Sequence, residues 1–72
     1  MTGEEFLDTL HRTPLDQRAA AIAGMRTLAV LRSAVDLAGH SYADTMGAER
    51  CRRILREEWC APRTREVQRR GR

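Results

Sequence analysis

Lysine is absent from this sequence; all 13 of its basic residues are arginine. Together with abundant alanine, this points to a high-GC genome, bacterial or phage. The functional alternative is selection for guanidinium groups, which fork onto carboxylate and phosphate. Strand signals are also missing. No stretch alternates apolar and polar with period two, and nothing repeats at a fixed spacing. That excludes sheet and solenoid architectures and leaves helices.

A long apolar run is lacking too. The most apolar stretch, residues 19–31, is interrupted by Arg26 and bounded by Arg18 and Arg32, so no segment is expected to span a membrane. The N-terminus is acidic and has no apolar h-region, so no secretory signal is expected. The expected compartment is the cytoplasm, with both cysteines reduced.

The cysteines and histidines are not expected to make a metal site. Their order is His11, His40, Cys51, Cys60. No two cysteines or two histidines stand at the close spacings of a zinc site. On one helix, Cys51 and Cys60 would lie about 13 Å apart along the axis and about 180° apart around it. No disulfide spans that geometry. Cys51 shares a face with Ile54 and Leu55 and reads as a small core hydrophobe.

Catalytic signatures are equally scarce. There is no glycine-rich phosphate loop, no paired His-Glu motif and no nucleophile elbow. His40, Ser41 and Asp44 are triad residue types, but capping and turn roles account for Ser41 and Asp44. A chain of 72 residues also has little room for a substrate pocket. The expectation is a protein that is not an enzyme, with no catalytic residues, cofactor, metal or small-molecule substrate.

What is present is helical punctuation. Thr2-Gly3-Glu4-Glu5 has the form of a capping box. Phe6, Leu7 and Leu10 follow as an apolar edge. This helix should stop near Arg12, because Thr13 precedes Pro14 and is biased away from the α region. Thr13 and Pro14 then read as the start of a second helix, which the alanines at 19, 20, 21 and 23 extend. Gly39 marks its end as a C′ residue. From Ala48 onward, Cys51, Ile54, Leu55 and Trp59 share one face, and Pro62 ends the pattern.

These signals predict an all-α, three-helix arrangement: a short helix over 3–12, a long central helix over 14–38 and a third over 48–60 with a start as early as 42. Residues 1–61 form one helical domain, and 62–72 read as a flexible basic tail. Such a short chain buries only about 60% of its unfolded surface, so a partner is a natural source of further stability.

The central helix carries the functional inference. Its apolar arc is about 200° wide, against a stripe a little over 100° for an ordinary surface helix. The two shorter helices are too short to cover it all, and an exposed apolar strip usually marks an interface. Leu28, Leu31 and Val35 are the expected contacts. The expected partner is a second copy of the chain, giving a homodimer, or another protein.

Charge is the second lead. Residues 1–17 carry Glu4, Glu5, Asp8 and Asp16 against Arg12, whereas residues 48–72 carry nine arginines against four glutamates. Arg50, Arg52, Arg53 and Arg56 fill the polar face of the last helix. Arg63, Arg65, Arg69, Arg70 and Arg72 continue into the tail. This basic segment is expected to contact an anionic partner, with DNA or RNA among the candidates. The i, i+4 pairs Glu49–Arg53 and Arg53–Glu57 should answer part of the charge locally.

A sharper alternative is a small DNA-binding regulator. Residues 43–48 have the form of the turn region of a helix-turn-helix, with residues 48–59 as reading helix and Arg50, Arg52 and Arg53 at its reading end. Two features count against it. The position where such a unit buries an aliphatic residue falls on Arg53, and its first helix, over 42–46, would be very short. The reading the sequence favours is a non-enzymatic helical interaction module.

Overall fold

The computed structural model describes residues 1–60, and within them the chain is all helix and turn. Helix α1 spans Gly3–Arg12, α2 Leu15–Gly24, α3 Leu28–Leu37 and α4 Ala48–Trp59, with a single 3-10 turn at Ala43–Thr45. The tail expected over 62–72 lies outside the described residues.

The capping box at the start of α1 forms as its sequence requires. The Glu5 amide donates to Thr2 Oγ1 at 3.1 Å, and the Thr2 amide donates to Glu5 Oε1 at 2.8 Å. Phe6 and Leu10 are buried beneath this helix. Its first residue, Gly3, crosses α3 closely: a Cβ there would stand 2.6 Å from the Ala34 amide nitrogen and overlap the Ser33 side chain. Only a residue without a side chain allows that approach.

The long central helix does not form. The chain is extended at Met25 and Thr27, which divides the segment into α2 and α3. Gly24 weakens the helix at that point, and a straight helix of that length would be about 37 Å long. The short α1 and α4 could not cover it. Bending places α3 between α1 and α4 and lays α2 against α4. The mismatch between the apolar arc and its neighbours is thus relieved within the chain for α3, where Val30, Leu31, Ala34 and Val35 are buried, but not for α2. The carbonyl freed at Met25 accepts from Arg52 Nε at 3.1 Å, so α4 closes the break.

Thr13 also departs from expectation. It does not open α2 but closes α1 as its C-cap: its amide donates to the Leu10 carbonyl at 3.1 Å and its hydroxyl to the Thr9 carbonyl at 2.6 Å, while α2 begins behind Pro14 with no side-chain cap. At the end of α3 the reading holds. Gly39 has φ +102°, its amide donates to the Asp36 carbonyl at 3.0 Å, and the His40 amide donates to the Val35 carbonyl at 3.3 Å. This pair of hydrogen bonds is the Schellman closure.

Residues 42–46 form no helix beyond the 3-10 turn. Tyr42 takes a left-handed φ of +64°, unusual for a bulky side chain, and its ring is exposed. The third helix starts at Ala48, and its Cys51 and Leu55 are fully buried with Ile54 half-buried, as the spacing predicts. The core is completed by Ile22, Val30, Leu31, Ala34, Val35 and Ala43.

Candidate interaction surfaces

Of the three residues expected to meet a partner, Leu31 and Val35 are fully buried in the chain's own core, and Leu28 is half-buried. In this fold neither Leu31 nor Val35 is open to another molecule. The apolar surface that remains lies on the other half of the broken helix. On α2 only Ile22 is buried. Leu15, Ala19, Ala20, Ala23 and Gly24 are exposed, and no charged residue stands between Ala19 and Met25. A helix packed on one side only normally turns charged residues outward; beyond its first turn, α2 turns alanine and glycine. The spacing Ala19–Ala23 and Ala20–Gly24 puts small residues one turn apart on that face. A Cβ added at Gly24 would meet nothing. The sequence showed the arc but not which part of it would stay open.

The arginines divide by what they touch. Arg18 is the hub of one end of the molecule. Its Nε donates to the Thr13 carbonyl at 2.9 Å, its Nη1 to the Trp59 carbonyl at 3.2 Å and its Nη2 to the His11 carbonyl at 3.3 Å. Its guanidinium carbon also lies 5.5 Å from the Trp59 ring centre, and His11 meets that ring edge-on at 6.3 Å. The cation therefore sits at the C-terminal ends of α1 and α4, where helix dipoles favour it. Arg32 Nε donates to the Met46 carbonyl at 2.7 Å and ties α3 to the turn before α4. Arg52 closes the α2–α3 break and also pairs with Glu49 at 3.1 Å.

Arg52 therefore stands with the structural arginines, apart from the other contacts expected on α4. Its hold on Glu49 also replaces the expected Glu49–Arg53 pair. Among the described residues Arg53 makes no ion pair with Glu57 either. Arg50, Arg53 and Arg56 line one surface groove of about 440 Å³ with Glu49. Arg63, Arg65, Arg69 and Arg70 lie outside the described residues.

Two further grooves mark the surface. One of about 530 Å³ runs along α1, where Glu4, Glu5 and Asp8 stand with Leu7, His11 and Trp59. The other, of about 350 Å³, lies beneath exposed Tyr42, beside Arg32, Asp36 and Asp44. The His40 ring reaches neither Ser41 nor Asp44; its Nε2 meets Glu58 Oε2 at 2.6 Å and joins the end of α3 to α4. Cys51 is buried, and burial pushes its thiol pKa up, with Arg32 and Arg52 opposing in part. A thiol so placed stays protonated and poorly nucleophilic. Both cysteines are free.

No helix among the described residues is long and apolar enough to cross a membrane. Comparison with protein-family models, with curated proteins and with solved structures finds no match.

Proposed function

We propose that this chain is a non-enzymatic helical interaction module. It self-associates or docks on a partner protein through an apolar helix face, while its arginine-rich C-terminal part contacts an anionic partner. The observation that carries the reading is the run of exposed small residues Ala19, Ala20, Ala23 and Gly24 on α2, which carries no charge beyond Asp16 and Arg18 in the first turn. Exposed apolar surface of this kind is usually covered by another molecule. The face belongs to the first half of the segment expected to associate, and it takes over from the buried Leu31 and Val35. Small residues one turn apart let a second helix come close, so association would bring backbones together rather than interlock long side chains.

Light scattering over a micromolar concentration range tests this. Mass should rise with concentration, and Ala19→Glu or Ala23→Glu should abolish the rise while leaving the helical signal intact. A mass that stays monomeric throughout removes self-association and leaves docking on a different protein. The DNA-binding regulator is the weaker reading, because the unit it needs lacks its first helix and Arg52 is engaged within the fold.

A further inference from the structure

The eight arginines within residues 1–60 separate into two sets. Arg12, Arg18, Arg32 and Arg52 each hold a carboxylate or backbone carbonyl of the chain. Arg26, Arg50, Arg53 and Arg56 have no such partner among the described residues. Three of those four line a single groove on the outer face of α4.

We propose that this face of α4 binds the phosphodiester backbone of a nucleic acid, through Arg50, Arg53 and Arg56, without reading its sequence. The proposal rests on the reading above that the arginine-rich part meets an anion, and it names that anion.

Two observations favour phosphate over a protein's carboxylates, and a third favours an anion of either kind. First, the groove is lined by arginines and Glu49 and by no apolar side chain. Protein interfaces depend on buried aromatic or aliphatic anchors, whereas backbone contacts to a polyanion need none. Second, the three guanidiniums follow one another every three residues, a rise of about 4.5 Å per step. A regularly charged polymer can meet such a row in several registers, as non-specific binding requires. Third, α4 begins at Gly47, which offers no side-chain cap, so the amides of its first turn are left to an outside acceptor. Glu49, the carboxylate of that first turn, pairs with Arg52 at 3.1 Å.

Sequence reading is absent from the proposal for a structural reason. In a helix-turn-helix the reading helix is seated by a companion helix that crosses the backbone. Here the preceding element is one 3-10 turn.

The test is anisotropy of labelled duplexes of two unrelated sequences, titrated with the full chain at about 50 mM and about 200 mM salt. Polyglutamate serves as a carboxylate competitor. The expected result is equal binding of both sequences, with weak competition. Arg50→Gln/Arg53→Gln/Arg56→Gln should lower the salt slope by about 0.9 per lost contact, about 2.7 in all. Over that fourfold rise in salt, the variant should lose about 40-fold less affinity than the parent. Arg26→Gln, a free arginine off this face, should change nothing. Circular dichroism confirms that the variants fold.

Binding that survives the triple change but vanishes when the arginines at 63, 65, 69, 70 and 72 become glutamine would overturn the α4 proposal and leave the anionic-partner reading standing. Tight polyglutamate binding with no duplex binding would overturn the phosphodiester and keep the anion. Binding of neither would remove both. A strong preference for one duplex would overturn the claim that sequence is not read.

Discussion

Arg18→Gln should destabilise the fold far more than an exposed arginine change. Glutamine matches arginine closely in helix propensity, so α2 itself is undisturbed. What is lost is a cation that ends two helices at once. Its bond to the Thr13 carbonyl is short at 2.9 Å, and those to Trp59 and His11 are longer at 3.2 and 3.3 Å. Charge-assisted bonds stabilise by about 1.5–3 kcal/mol at best, and long ones by less. Taking about 1.5 kcal/mol for the short bond and about 0.5 kcal/mol for each long one gives about 2.5 kcal/mol. The Trp59 stacking adds about 0.5 kcal/mol at a half-exposed site. A total near 3 kcal/mol corresponds to a fall of about 15 °C in Tm for so small a domain. Thermal melts followed by circular dichroism measure it. Arg18→Lys should recover only a minor part, because one ammonium cannot reach three carbonyls. The hub reasoning fails if the glutamine variant melts within about 2 °C of the parent.

Other predictions are more local. Gly3→Ala should destabilise by about 1–3 kcal/mol in urea melts, because the new Cβ meets the Ala34 backbone and the Ser33 side chain. An unchanged midpoint would show that the α1–α3 crossing relaxes freely. Leu31→Ala should cost about 2–5 kcal/mol, as expected for a fully buried leucine. A near-neutral result would mean that Leu31 faces a partner rather than the core. The buried thiol of Cys51 gives a pH dependence. Its folded pKa is raised, so the stability it contributes is fully present below the ordinary value near 9.0 and is lost as pH rises through the folded value. Denaturant midpoints should therefore fall on the alkaline side of about pH 9, and Cys51→Ala should remove that part of the fall.

The ends of helices were largely legible in the sequence. Thr2 with Glu5, and Gly39, are local devices whose partners lie within a few residues, so pattern alone locates them. The inner face of α4 was legible for the same reason, since Cys51 and Leu55 recur with the helical period. The break at residues 25–27 was not. Its cause is the economy of burial across four helices, and the bond that closes it comes from Arg52, far along the chain. Thr13 was misread because its hydroxyl had two local options and took the backward one, to Thr9. Arg18 was placed only as a polar residue beside an alanine run. Its role depends on where α4 ends, which no local signal contains. On the surface, the sequence identified the arginines but could not separate those holding carbonyls from those left free. That division is tertiary, and it is what narrows the proposed α4 contacts to Arg50, Arg53 and Arg56.

The last prediction separates folding from association at one residue. Gly24 ends α2, has no unusual φ, and has open space where a Cβ would stand. The monomer therefore gives no steric reason for glycine there. Gly24→Ala should stabilise the isolated fold by about 0.4–1 kcal/mol, through helix propensity and a less flexible unfolded chain. If α2 is the face on which a second helix rests, the added methyl also holds that helix away. Denaturation at high dilution should then show a gain, while the mass measured at micromolar concentration should fall. Opposite signs in the two assays would be hard to produce any other way, since general damage lowers both and a neutral surface change lowers neither. A gain in stability with unchanged association would leave Gly24 as ordinary helix-end chemistry. It would also move the associating surface away from this end of α2, toward Leu15 and Ala19.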